Sequence, residues 1–138
     1  MNNTAVLRMI LSCYISTEAP DYTEAEVYVN RLKENLNSDD ETRIAITEFY
    51  SKWSTEVKMN RNISFDPNME ILRQRQYKDL ADNGIAILKQ VRNKTHRYYY
   101  LFANLYFNKW DYENALEMID KSLELIQKDP QFTLPTTI

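Results

Sequence analysis

The chain has 138 residues, 43% of them hydrophobic and 27% charged, with a formal net charge of −3. That is one globular domain of ordinary composition, and the negative balance argues against nucleic acid as a direct ligand. One Gly and four Pro leave too few turn residues for an all-β domain. The lone Cys13 excludes an internal disulfide framework, and the lone His96, with no Cys or second His nearby, speaks against a zinc site. The class expected is all-α, with no cofactor.

The N-terminus opens with Ala5-Val6-Leu7, but Arg8 interrupts the apolar run and no small-residue cleavage site follows. No stretch approaches the ~20 apolar residues that a membrane span requires. A cytoplasmic protein without membrane contact is expected, and the sequons at Asn2, Asn62 and Asn93 are then chance matches. Cys13 sits among apolar neighbours and is expected to be a buried small hydrophobe.

A first helix is expected over roughly 4–16, with Val6, Met9, Ile10, Cys13 and Tyr14 at helical spacing. It ends before Pro20, because the residue preceding a proline is pushed out of the helical region. A second helix over roughly 23–36 carries Ala25, Tyr28, Val29, Leu32 and Leu36, with Thr23 and Glu26 as a capping box. A third over roughly 39–58 starts at Ser38 with Glu41. Its stripe of Ile46, Phe49, Tyr50, Trp53 and Val57 is the expected centre of an N-terminal three-helix bundle, 1–58.

After the loop 59–66, Asp66 and Pro67 form an N-cap followed by proline at the first helical position. The fourth helix, 67–92, is read as a linker. Tyr77, Leu80, Ala81, Gly84, Leu88 and Val91 form its apolar stripe, and polar first turns around Arg73 and Arg75 project from the core. Gly84 costs about 1 kcal/mol relative to alanine inside a helix, so a close neighbour is expected there.

A helical hairpin closes the fold over 96–128. With His96 as position one of a 34-residue repeat, Tyr99, Phe102, Ala103, Tyr106, Ala115, Ile119 and Ser122 occupy the large and small positions of the tetratricopeptide consensus. Small residues at Ala103 and Ala115 let two antiparallel helices approach, and Asp111 caps the second of them. The last ten residues, 129–138, with Pro130 and Pro135, read as an extended tail.

Charge is uneven along the chain. Residues 1–50 hold four basic and nine acidic side chains, residues 51–100 hold ten and five, and residues 101–138 hold three and six. Solvated helix faces account for this, and so does a polarised surface that steers a charged protein partner.

Over residues 6–127 the sequence resembles the N-terminal third of the Rap family, the response regulator aspartate phosphatases and anti-activators of Gram-positive bacteria and their mobile elements. Three pieces carry the resemblance. Cys13-Tyr14-Ile15 stands twelve residues before Ala25-Glu26, Arg31 to Leu36 precedes the acidic Asp39-Asp40-Glu41, and an aromatic repeat runs from Tyr98-Tyr99-Tyr100 to Lys121-Ser122-Leu123. The resemblance implies a three-helix bundle that grips a response regulator, joined by a linker helix to a repeat domain that senses a peptide. Phosphatase members carry a catalytic Gln just after the acidic turn, where this chain has Glu41, Thr42 and Arg43. The family also carries several more repeats than the one found here.

No Gly-rich phosphate loop, Cys–His pair or metal-ligand cluster is present. The expected function is therefore a protein-binding regulatory module, not an enzyme. It would bind a protein or peptide partner such as a response regulator or transcription regulator. A self-associating structural protein is the alternative, and a phospho-aspartyl phosphatase a weaker one. Candidate contact residues are Arg73 and Arg75 on the fourth helix and Arg97, Tyr100, Asn104, Phe107 and Asn108 on the inner face of the fifth. The same inner face would serve equally well to pack on the fourth helix or the tail.

Overall fold

The helix starts are set by short polar side chains that accept otherwise unpaired backbone N–H groups. Asp21 accepts from the N–H of Glu24 at 3.0 Å, Asp39 from that of Thr42 at 2.7 Å, and Asp66 from that of Asn68 at 2.9 Å. Thr95 accepts from Tyr98 at 3.3 Å. The computed structural model describes residues 4–34, 39–60 and 66–128. They form six helices: α1 Thr4–Ile15, α2 Tyr22–Lys33, α3 Asp40–Met59, α4 Pro67–Leu88, α5 His96–Asn108 and α6 Tyr112–Lys128. Among the described residues there is no strand, and no helix is long and apolar enough to cross a membrane.

Two of the expected caps are displaced. Asp21 caps α2 in place of Thr23, and Asp39 caps α3 where Ser38 was expected. Ser38, Leu36, Pro130 and the tail 129–138 lie outside the described residues. The Asp66–Pro67 start of α4 is as expected.

α3 is the axis of the molecule, packing against α1, α2, α4 and α5. Ile46, Phe49 and Tyr50 are buried on it, with Trp53 and Val57 half-buried beside them. Tyr22 stacks on Trp53 with ring centroids 5.8 Å apart. Leu7, Leu11 and Ile15 from α1 and Ala25, Val29 and Leu32 from α2 complete this core. The α1 stripe is therefore not the expected one: Val6, Met9 and Cys13 are exposed. Apolar residues surround almost the whole of α1, so periodicity admits two faces, and the position of α2 and α3 selects the one through Leu7, Leu11 and Ile15.

α4 joins the N-terminal bundle to the hairpin by packing into both. It lies along α3 and belongs to both cores. Leu80 and Ile87 join the N-terminal core, while Ala81, Ile85 and Leu88 join a second core with Val91, Tyr98, Leu101, Phe102 and Leu105. It ends at Leu88 and not at 92, because Asp40 at the start of α3 binds the next stretch of backbone. Its carboxylate accepts the N–H groups of Arg92 at 3.0 Å and Asn93 at 2.8 Å.

α5 and α6 form an antiparallel hairpin: Ser122, late in α6, donates to the carbonyl of His96 at the start of α5, 2.8 Å away. The turn is a Schellman motif, in which the N–H of Asp111 returns to the carbonyl of Tyr106 and that of Trp110 to Phe107. Trp110 takes the left-handed position with φ 67°. Ala103, Ala115 and Ser122 are buried in the seam as expected, but Ile119 faces outward. Among the described residues α6 approaches no helix except α5, and Ile119 lies off that seam.

Candidate functional site

α3 carries a second stripe, polar where the first is aromatic. Thr47, Ser51, Ser54 and Lys58 recur every three or four residues, and all four are buried. Ser54 and Thr55 donate their hydroxyl protons to the carbonyl of Ser51 at 3.0 and 2.8 Å. This back-bonding leaves their oxygens free to accept. α5 supplies the donors: the Asn108 amide reaches Ser54 at 2.8 Å and Thr55 at 3.0 Å, and the Asn104 amide reaches Ser51 and Thr55. Two helices are thus joined by a one-way ladder of hydrogen bonds, each contributing on the order of 1 kcal/mol.

This ladder corrects the expected contact surface. Asn108 is fully buried, so it is a seam residue and is closed to any ligand. The inner face of α5 packs on α3, where small polar side chains let the backbones come close.

Above the ladder the seam opens into a groove of about 410 Å³. Asn104 and Thr55 line it near the seam, Tyr100 and Met59 are exposed in its walls, and Lys52 and Glu56 add charge. Arg97 closes one end by donating to Glu48 at 2.8 Å. Tyr100 is 59% exposed, so its ring forms an open aromatic wall of the groove. Of the residues expected from sequence, Arg97, Tyr100 and Asn104 come together here.

The others lie elsewhere. Phe107 belongs to an aromatic box around Lys58, whose ammonium sits 3.9 Å from the Phe107 ring centroid and 4.2 Å from that of Trp110. The same ammonium donates to the Phe107 carbonyl at 2.7 Å, in the last turn of α5. Burial lowers the Lys58 pKa. Arg73 is held by Glu70 and donates to the carbonyls of Val57 and Lys58, so it caps the end of α3. Arg75 is exposed on α4 and shares no surface with the groove.

The acidic turn is also occupied structurally. Asp39 caps α3, Asp40 holds residues 92–93, and Glu41 pairs with Arg8 of α1 at 2.5 Å. Hydrogen bonds from the N–H groups of Arg92 and Asn93 lower the Asp40 pKa. No group of three or more His, Cys, Asp or Glu among the described residues is placed to hold a metal ion. Comparison with models of protein families, with curated proteins and with solved structures finds no match.

Proposed function

We propose that the chain is a protein-binding regulatory module whose α3–α5 groove holds an extended segment of a partner. The observation that carries this is the exposed Tyr100 ring beside the Asn104 amide, within a groove that has charged groups of both signs around it. An aromatic wall offers apolar area at low entropic cost, and the Asn104 carbonyl oxygen, its NH2 being engaged by Ser51 and Thr55, can accept from a backbone N–H of an extended chain. The resemblance to the Rap family suggests a bacterial response regulator as the partner and the cytoplasm as the compartment. The hairpin α5–α6 would then be the first tetratricopeptide-type unit.

A phosphatase role is disfavoured by the acidic turn. Glu41 is engaged with Arg8, while Thr42 and Arg43 are buried. Thr42 and Arg43 are closed to a water molecule, and Glu41, whose side chain is 78% exposed, carries a charge that repels a phosphoryl group.

The test is selection of a random peptide library on the full chain, with affinities of the selected peptides measured by fluorescence anisotropy. Enriched peptides should lose at least tenfold in affinity on Tyr100→Ala, while Arg75→Glu, on a separate surface, has little effect. No enrichment, or equal binding by Tyr100→Ala, overturns the proposal.

A further inference from the structure

α6 has three faces. The face toward α5 carries Ala115 and Ser122, with Met118 packed against the second core. The outward face carries Leu116, Ile119 and Leu123, which are 62%, 41% and 46% exposed. Tyr112 extends that row by one turn, and its ring meets Phe107 at 5.4 Å and Trp110 at 5.9 Å between centroids. The result is a continuous apolar strip of about three turns that begins in an exposed aromatic cluster. Beside it, at the next angular position on the helix, runs an acidic row of Glu113, Glu117, Asp120 and Glu124. Lys121 and Lys128 lie on the far side of that row, pairing with Glu117 and Glu124.

We infer that this face receives an amphipathic helix of another protein, with an apolar stripe flanked by Lys and Arg. The strip has the length and spacing of a helix-docking surface, and aromatic residues at one end supply the anchoring area that such interfaces use. The acidic row decides the flank. A second copy of this chain laid antiparallel on α6 would set acidic row against acidic row, and like charges across an interface are unfavourable. A basic flank turns the same row into an attraction. This surface is distinct from the α3–α5 groove, and the inference does not depend on the function proposed for that groove.

The experiment uses the full chain and a labelled amphipathic helical peptide of about four turns, with leucines on one face and lysines beside them. A second peptide has glutamates in place of the lysines. The lysine peptide should bind at least tenfold more tightly than the glutamate peptide. The double variant Leu116→Ser/Leu123→Ser should abolish binding, and Glu117→Lys/Asp120→Lys should reverse the preference. These side chains are exposed, and an unchanged melting curve will confirm that the variants are folded. Tyr100→Ala should leave probe binding unaltered. Equal binding of both peptides, or indifference to the α6 variants, overturns the inference. So does a dimer in sedimentation that Leu116→Ser/Leu123→Ser dissolves, which assigns the face to a second copy. Tenfold tighter probe binding by Phe132→Ser/Leu134→Ser also overturns it, since the chain's own C-terminal segment is then the occupant.

Discussion

Gly84 of α4 lies directly beneath Leu105 of α5: a methyl group added to its Cα would stand 2.9 Å from Leu105 Cδ2 and 3.1 Å from Tyr50 Cβ. Three helices meet at this point, and the absence of a side chain is what brings them together. Leu105 can turn its methyls aside only within a fully buried core, and Tyr50 Cβ is fixed to the α3 backbone. Gly84→Ala should therefore destabilise the fold by about 1–2 kcal/mol, although alanine is the better helix former by about 1 kcal/mol. Leu105→Ala alone should cost about 2–4 kcal/mol. In the double variant the two effects should be less than additive, because the smaller residue makes room for the new methyl. Urea denaturation of the four proteins checks this, and strict additivity would show that the contact does not limit the approach.

The ladder between α3 and α5 is directional, and that is testable. Ser54 and Thr55 have already given their protons to the Ser51 carbonyl, so only a donor satisfies them. Asn108→Asp replaces the donor with a buried carboxylate facing hydroxyl oxygens. It should cost about 3 kcal/mol or more near neutral pH, against about 2 for Asn108→Ala. A protonated acid regains one donor. The Asn108→Asp deficit should therefore shrink as pH falls, since burial raises the pKa of the new acid: its ionisation penalty is complete above the raised folded pKa and vanishes below the unfolded one. A deficit independent of pH between 7 and 4 would argue against the directional ladder.

Asp40 makes the opposite prediction. Hydrogen bonds from Arg92 and Asn93 lower its pKa below the unfolded value of about 3.9. The stability it contributes is complete above that value and is lost as pH falls through the lower folded one. Acid unfolding should thus be shallower for Asp40→Asn than for the native chain below about pH 4. At neutral pH the variant should lose on the order of 1 kcal/mol, the worth of one such bond, because an amide presents one acceptor oxygen where the carboxylate presents two. Chemical denaturation across the pH range measures both quantities.

What could be seen in the sequence, and what could not, follows from these particulars. Aromatic stripes are strong signals, so Ile46, Phe49 and Tyr50 were found at the centre and Gly84 was correctly expected to mark a close approach. Counting only apolar residues hid the stripe of Thr47, Ser51, Ser54 and Lys58, although its spacing is as regular. That is why Asn108 reads as a ligand residue from sequence: its partners Ser54 and Thr55 carry no apolar signal. α1 failed for the opposite reason, with too many apolar residues for periodicity to choose a face. Arg97, Tyr100 and Asn104 share one side of α5, so their spacing alone brings them to one surface. Their separation from Arg73 and Arg75 depends on how α4 lies along α3, which no local pattern encodes.

Lys58 offers the last test. Its stem is buried, its ammonium lies against the Phe107 and Trp110 rings, and it closes the end of α5 by donating to a carbonyl. Cation–π contacts and the hydrogen bond oppose the desolvation that lowers its pKa. Because the folded pKa lies below the unfolded one, the charged form carries a penalty at neutral pH that is relieved as pH rises through the folded value. Lys58→Met keeps the stem and removes the charge. Its stability near pH 7 should fall within about 1.5 kcal/mol of the native chain, whereas Lys58→Ala, which empties the aromatic box, should lose about 2–3 kcal/mol. The native chain should gain stability relative to Lys58→Met as the lysine titrates below its ordinary pKa of 10.5. Should the two proteins keep a constant difference from pH 7 to pH 10, the box stabilises the ammonium enough to cancel its burial. The aromatic contacts and the hydrogen bond would then balance desolvation at this site.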